Sequence, residues 1–213
     1  PATSLTRSMT MYRRDATKVQ AFAQTSPYKM GLVITMVSLS IQQNWSSVGT
    51  QMVSVMMQGS RSKYLWGSKA KLYSYITDNM EQIYADVMAV IDSDELDDNK
   101  AEALMQIFLR IDGLGLPKAG FCCQLIAGLV GCMDIHNIRR LGLDPKTLTL
   151  SKNPKGDKAR ATNLRKLRDY IRVCHEYGTE ELWDDWCGHL ASSSKSWDNA
   201  SHVSEVHYSY LQH

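Results

Sequence analysis

Apolar residues recur at three- and four-residue steps along most of the chain, and runs of strict apolar–polar alternation are nearly absent. Met30, Val33, Ile34, Val37 and Ile41 form one such stripe over 28–43, opened by Pro27, a residue that the first turn of a helix tolerates. Val48, Met52, Val55 and Met56 repeat the pattern over 46–58 before glycines and serines interrupt it at 59–69. Ile76, Met80, Ile83, Tyr84, Val87 and Met88 predict a long helix from Leu72 to about Ile91. Further helices are expected over 100–111, 117–127, 162–178 and 180–191, and the last carries Leu182, Trp183, Trp186 and Leu190 on one side. The stretch 144–161, with Pro145, Pro154 and Gly156, reads as a long loop. The expected fold is all-α, roughly eight to ten helices in one domain over 28–191. A polar arm is expected over 1–27, and a tail over 192–213.

A chain of 213 residues, 44% of them hydrophobic, can bury a sizeable core in one domain. The net charge is only +2, so any surface for a polyanion has to come from local clustering. It clusters from Lys152 to Arg172, where eight basic residues face only Asp157 and Asp169. Lys155, Lys158 and Arg160 lead that segment, and its excess suits a nucleic-acid backbone as well as it suits a solvated helix face. The five cysteines are odd in number and form no CxxC pair, which argues against a disulfide framework or a zinc site. Cys122 and Cys123 stand in an apolar stretch and are expected in the core.

The acids of "DSDELDD" (92–98) have neither the spacing nor the glycine of a calcium loop, so one of them is expected to cap the helix that follows. His202 and His207, with Glu205 between them, lack further ligands at metal-site spacing, and His175 and His189 read as ordinary helix histidines. No metal and no cofactor is expected. No apolar run reaches the length of a membrane span, and no secretory cleavage pattern is present, so no membrane partner is expected and the expected compartment is the cytoplasm. Tyr64 and Trp66, in a glycine- and serine-rich loop, read either as a platform for a base or as anchors of that loop.

The stretch "FLRIDGLGLPKAGF" (108–121) places two glycines one residue apart between two helical runs. Gly113 and Gly115 supply the backbone angles of a tight turn, Leu114 between them pins it inward, and Pro117 suits the first turn of the next helix. Ala119 is small enough for the helices to pack closely. The unpaired N–H groups at that helix start, with Lys118 beside them, make an anion site. This pattern resembles the helix-hairpin-helix element, and it also suits an ordinary glycine turn between packed helices. The next segment, "GCMDIHNIRRLGL" (131–143), resembles the glycine-rich loop, aspartate and following helix of the helix-hairpin-helix DNA glycosylases. The motifs cover about residues 100–143, and the helix order extends the likeness to about 28–175.

Asp134 precedes a helical run and so reads as its N-cap; the resemblance implies, beside that role, a DNA-binding protein in which Asp134 is the catalytic carboxylate. Such a group stabilises positive charge on the sugar while the bond to a flipped, damaged or modified base is cut or the base is altered. It implies DNA contacts from Gly113, Leu114, Gly115, Lys118, His136, Asn137, Arg139 and Arg140, extended by the basic segment at Lys155, Lys158 and Arg160. Glycosylases that also cleave the strand carry a catalytic lysine two residues after the second glycine. That position is Pro117 here, and Lys118 follows it, a rotation of about 100° on a helix. Lys118 is thus a candidate for catalysis and for phosphate contact. "KAGFCCQL" followed by "GCMDIHN" looks more like the divergent glycosylase-like proteins of tailed bacteriophages than like housekeeping repair enzymes, which would place the chain in the host cytoplasm. The same scaffold also suits a catalytically inactive DNA-binding or phage structural protein.

Overall fold

A computed structural model describes residues 16–43, 47–146, 148–151 and 153–193, with side chains of the last helix described through Trp186. Among the described residues every regular element is helical. Helix α1 is seen over 16–23. It is followed by α2 (Pro27–Leu39), α3 (Val48–Gln58), α4 (Ser68–Ile91), α5 (Asp97–Leu109), α6 (Leu116–Ile126), α7 (Ile135–Arg140), α8 (Gly156–Tyr177) and α9 (Thr179–Ser193). A short 3-10 turn, Gly59–Arg61, follows α3.

Helix α2 is the centre of the molecule. Every residue from Met30 to Leu39 is buried, because α3, α4 and α6 all pack on it. The stripe legible in the sequence is therefore only part of what is covered, as expected for a helix that is apolar on all sides. Ser38 and Ser40 fit this interior by donating their hydroxyls back to Thr35 O and Val37 O. Its start is capped by Ser26, whose side chain accepts from Lys29 N–H.

Three sequence expectations need correction. The arm expected over 1–27 does not extend that far. Val19, Phe22 and Ala23 of α1 are core residues, and Gln20 and Gln24 donate to Gln124 O and Ile126 O at the end of α6. Residues 1–15, and the tail after 193 with His202 and His207, lie outside the described residues. Second, no acid caps α5: Leu96 takes the cap position without a side-chain bond, and Asp97 and Asp98 instead place their charge in the first turn, against the helix dipole. Third, the loop expected over 144–161 ends at Lys155, because Gly156 already opens α8 and the lysine-, alanine- and arginine-rich run after it is a good helix former. That loop is tied down from α8. Lys166 Nζ donates to Lys146 O and Thr149 O, and Asn163 brackets both backbone groups of Ser151.

Candidate nucleic-acid interface

The turn between α5 and α6 occupies 110–115. Gly113 has φ +100°, a backbone region that side chains rarely enter, and a Cβ there would stand 3.2 Å from Leu72 Cδ1 of α4. Leu114 is buried beneath the turn, and its N–H bonds Ile111 O. Ala119 is fully buried where the two helices meet. Gly115 differs from Gly113. It sits at the N-cap of α6 with φ −91° and ψ 178°, ordinary extended backbone, and the nearest atom to a Cβ there is Pro117 Cδ at 3.9 Å. Neither backbone angle nor packing demands glycine at this position. The N–H groups of Gly115 and Leu116 take no partner among the described residues, while Gly115 O accepts from Lys118 and Ala119.

A groove of about 610 Å³ runs beside this turn. One wall is the hairpin from Ile111 to Pro117, and the other is the 145–154 loop with Leu148 and Leu150; Ile135 and Ile138 of α7 also line it. Lys155 follows Pro154 at the rim and is exposed, as are Lys158 and Arg165. Not all of the basic segment is equally available. Arg160 is exposed and lies 3.8 Å from Asp157. Arg168 forms a two-pronged pair with Glu102 of α5, Arg172 is held by Asp169 and Glu176, and Lys166 is used by the loop.

Asp134 is the N-cap of α7, and its Oδ1 accepts from His136 N–H and Asn137 N–H at 2.9 Å each. Its Oδ2 accepts from the indole N–H of Trp186 at 3.1 Å. Trp186 comes from α9, is buried, stacks on Trp183 at 5.3 Å and meets the Phe121 ring edge-on at 5.2 Å. Lys118 Nζ lies 5.5 Å over the same Phe121 ring. Lys118, Phe121, Trp186 and Asp134 thus form one unbroken row, with the indole directly against the carboxylate. Asp134 is not among the residues lining the groove.

The segment carrying Asp134 is a buried, extended piece of chain held by side chains. The Tyr170 hydroxyl of α8 donates to Gly131 O and accepts from Met133 N–H, at 2.9 and 2.8 Å. Gln124 of α6 accepts from Cys132 N–H at 2.9 Å and donates to Thr179 O at the start of α9. Asn137 Nδ2 donates to Cys132 O at 2.8 Å. Gly120 makes this approach possible, since a Cβ on it would fall 2.6 Å from Gly131 O. Four buried backbone groups are thereby satisfied without secondary structure.

Several candidate residues are therefore placed elsewhere than expected. Asn137 is buried and bonded to Cys132 O, so it supports Asp134 and does not reach a ligand outside. Lys118 turns back from the hairpin and donates to Ser40 Oγ at 2.8 Å. Beside it the buried Lys69 donates to Leu39 O, so two cations meet the carbonyl end of α2. Burial, and next the charge of Lys118, lowers the Lys69 pKa. Arg140 pairs with Asp185 of α9 at 2.9 Å, whereas Arg139 and His136 are exposed on α7. Gln124, Tyr170, Gly120 and Lys69 were not singled out by sequence reasoning. Only Gly120, four residues from Gln124 in an apolar helix, carried any signal of close packing. Among the described residues no three His, Cys, Asp or Glu side chains gather as a metal site, and no helix is long and apolar enough to cross a membrane. Compared with known proteins, the chain matches no family model, no curated protein and no solved structure.

Proposed function

We propose that the chain is a DNA-binding protein of helix-hairpin-helix type, which takes a backbone phosphate on the turn at Gly113–Leu116 and extends the contact along Arg139, Lys155, Lys158 and Arg160. The observation that carries this reading is Gly115. Glycine is an accepted N-cap, only a few tenths of a kcal/mol behind serine or aspartate, and it places no side chain over the helix start. Here an exposed glycine stands in unstrained backbone whose nearest neighbour to a Cβ is Pro117 Cδ at 3.9 Å, and neither its N–H nor that of the buried Leu116 takes a partner among the described residues. A surface that must let a phosphate approach the backbone has a reason to omit that side chain.

Gly115→Asp separates the two roles. The carboxylate is an apt N-cap, so the melting temperature should hold or rise, while a fixed negative charge now fills the anion site and DNA affinity should collapse. Fluorescence anisotropy on a labelled duplex reads the second effect, and calorimetry the first. If affinity survives the substitution, the hairpin is not the phosphate contact.

The glycosylase-like reading, with Asp134 acting on a flipped base, is supported by the row from Lys118 through Phe121 and Trp186 to Asp134. It requires Trp186 to leave the carboxylate so that a sugar can take its place. The closed arrangement favours binding without chemistry. Base release or group transfer on modified DNA, removed by Asp134→Asn with binding intact, would reverse that preference.

A further inference from the structure

Charge is distributed along this chain in long blocks. Residues 16–77 contain six lysines and arginines and no acid, whereas 78–112 contain ten acids and two bases. The boundary falls within α4, whose first turns carry Lys69 and Lys71 and whose later turns carry Asp78, Glu81 and Asp86. The acid-free block includes the loop between α3 and α4. Among the tryptophans with described side chains, Trp66 on this loop stands apart at 65% exposed, while Trp183 and Trp186 are buried. Its ring makes no hydrogen bond and no ring contact among the described residues.

The loop that carries it is well anchored. Ser62 is buried, its hydroxyl is bonded to Ser54, and its carbonyl accepts from Leu65 N–H. Leu65 is buried in the core, and Trp66 O accepts from Lys69 N–H as α4 begins. Trp66 is therefore held out into solvent by its neighbours. An exposed indole forfeits the burial that large aromatics usually gain. Arg61, Lys63 and Lys71 are exposed before and after it, and Lys63 Nζ leans over the ring of the half-buried Tyr64 at 5.2 Å.

The position of this loop gives it a partner. Leu72 of α4 packs against Gly113 of the hairpin, and only about 6 Å of helix separates Leu72 from Ser68, where the loop ends. The cationic aromatic loop and the phosphate-directed turn are neighbours. We propose that Trp66, flanked along the chain by the exposed Arg61, Lys63 and Lys71, is a second nucleic-acid contact that stacks on an unpaired base of a single strand whose backbone is held at the hairpin. This rests on the hairpin binding phosphate. Stacking on an aromatic is tolerant of sequence, because every base offers a flat face, and cations along the same loop attract the backbone between bases. The acid-free block removes the repulsion that a scattered charge pattern would impose.

The test measures anisotropy of labelled oligo-dT and of a blunt duplex with full-length wild type, Trp66→Ala, Trp66→Phe, the triple reversal Arg61→Glu/Lys63→Glu/Lys71→Glu, and Gly115→Asp. Trp66→Ala should lose roughly 5- to 150-fold in single-strand affinity. Trp66→Phe should recover part of that loss, and duplex binding and melting temperature should hold, because the residue is largely exposed and its ring makes no hydrogen bond or ring contact among the described residues. The triple reversal should weaken the single-strand complex and flatten its salt dependence. If wild type binds oligo-dT and Trp66→Ala binds equally well, the proposal is overturned while the hairpin reading stands or falls on Gly115→Asp. A wild type that binds neither DNA overturns both. Binding that depends on Trp66 for phosphatidylserine vesicles but not for oligo-dT also overturns it, and assigns the loop to a membrane surface.

Discussion

Tyr170→Phe removes one oxygen atom from a side chain that is fully buried. Two bonds go with it, the donation to Gly131 O and the acceptance from Met133 N–H. Gly131 O keeps a weak contact from Cys174 Sγ at 3.5 Å, but Met133 N–H has no other partner. A buried donor left unsatisfied costs about 1–3 kcal/mol, and the lost bond to the carbonyl adds about 1 kcal/mol. No water can relieve this easily, since Gly120 and Gly131 bring two backbones against the same oxygen. The expected loss is about 3 kcal/mol, or roughly 6–12 °C in melting temperature for a chain of this size. Urea titration followed by circular dichroism measures it, with the exposed Tyr177→Phe as a control expected to stay within about 0.5 kcal/mol. A loss below about 1 kcal/mol at unchanged denaturant slope would refute the claim that the hydroxyl holds the segment leading to Asp134.

Burial pushes the thiols of Cys123 and Cys174 up to about 12, and those of Cys122 and Cys132 higher still. In the unfolded chain they ionise near their ordinary value, so above it the folded state holds more protons and stability falls as pH rises. Each thiol contributes about 1.4 kcal/mol per pH unit, so four of them should unfold a chain of ordinary stability between about pH 10 and 12. A native circular-dichroism signal retained at about pH 12 contradicts this. The same four thiols should resist iodoacetamide at neutral pH until denaturant is added, as read by mass spectrometry. Asp112 is exposed and lines the groove at the hairpin, so Asp112→Asn should tighten duplex binding by about two- to fivefold at low salt. Unchanged affinity there would place the DNA away from that corner.

Helix content was legible because its signal is periodic. Ile76, Ile83 and Val87 mark the buried face of α4, and Ile111, Gly113 and Pro117 mark the turn after α5, all from local rules. The helix starts at Ser68 and Gly156 were placed too late in the sequence reading, because neither carries a capping side chain. What lay beyond reach was non-local. Nothing adjacent to Lys118 announces that its ammonium is turned to Ser40 at the end of α2. Nothing beside Asp134 announces an indole from α9. Asn137 looked like a surface polar residue because its neighbours His136, Arg139 and Arg140 are polar. Its role follows from a carbonyl five residues earlier that no strand or helix satisfies. Gln124 and Tyr170 escaped for the same reason, being single polar groups on otherwise apolar helix faces.

The way Gly131–Asp134 is held also sets an order of events. A chain synthesised from its N terminus exposes Asp134 before Tyr170 and Thr179 exist. Until they follow, the backbone groups of 131–133 that will bond Tyr170 can bond only water, and Gln124 has no carbonyl at 179 to anchor its amide. The hairpin between α5 and α6 involves neighbours in sequence and closes early, as local contacts do. The bonds that hold the segment bearing Asp134 can be completed only once helices more than thirty residues downstream have been made. A nascent or truncated chain ending before α8 would therefore present the turn between α5 and α6 without the Asp134 segment in place, so the two parts of the candidate site mature at different times.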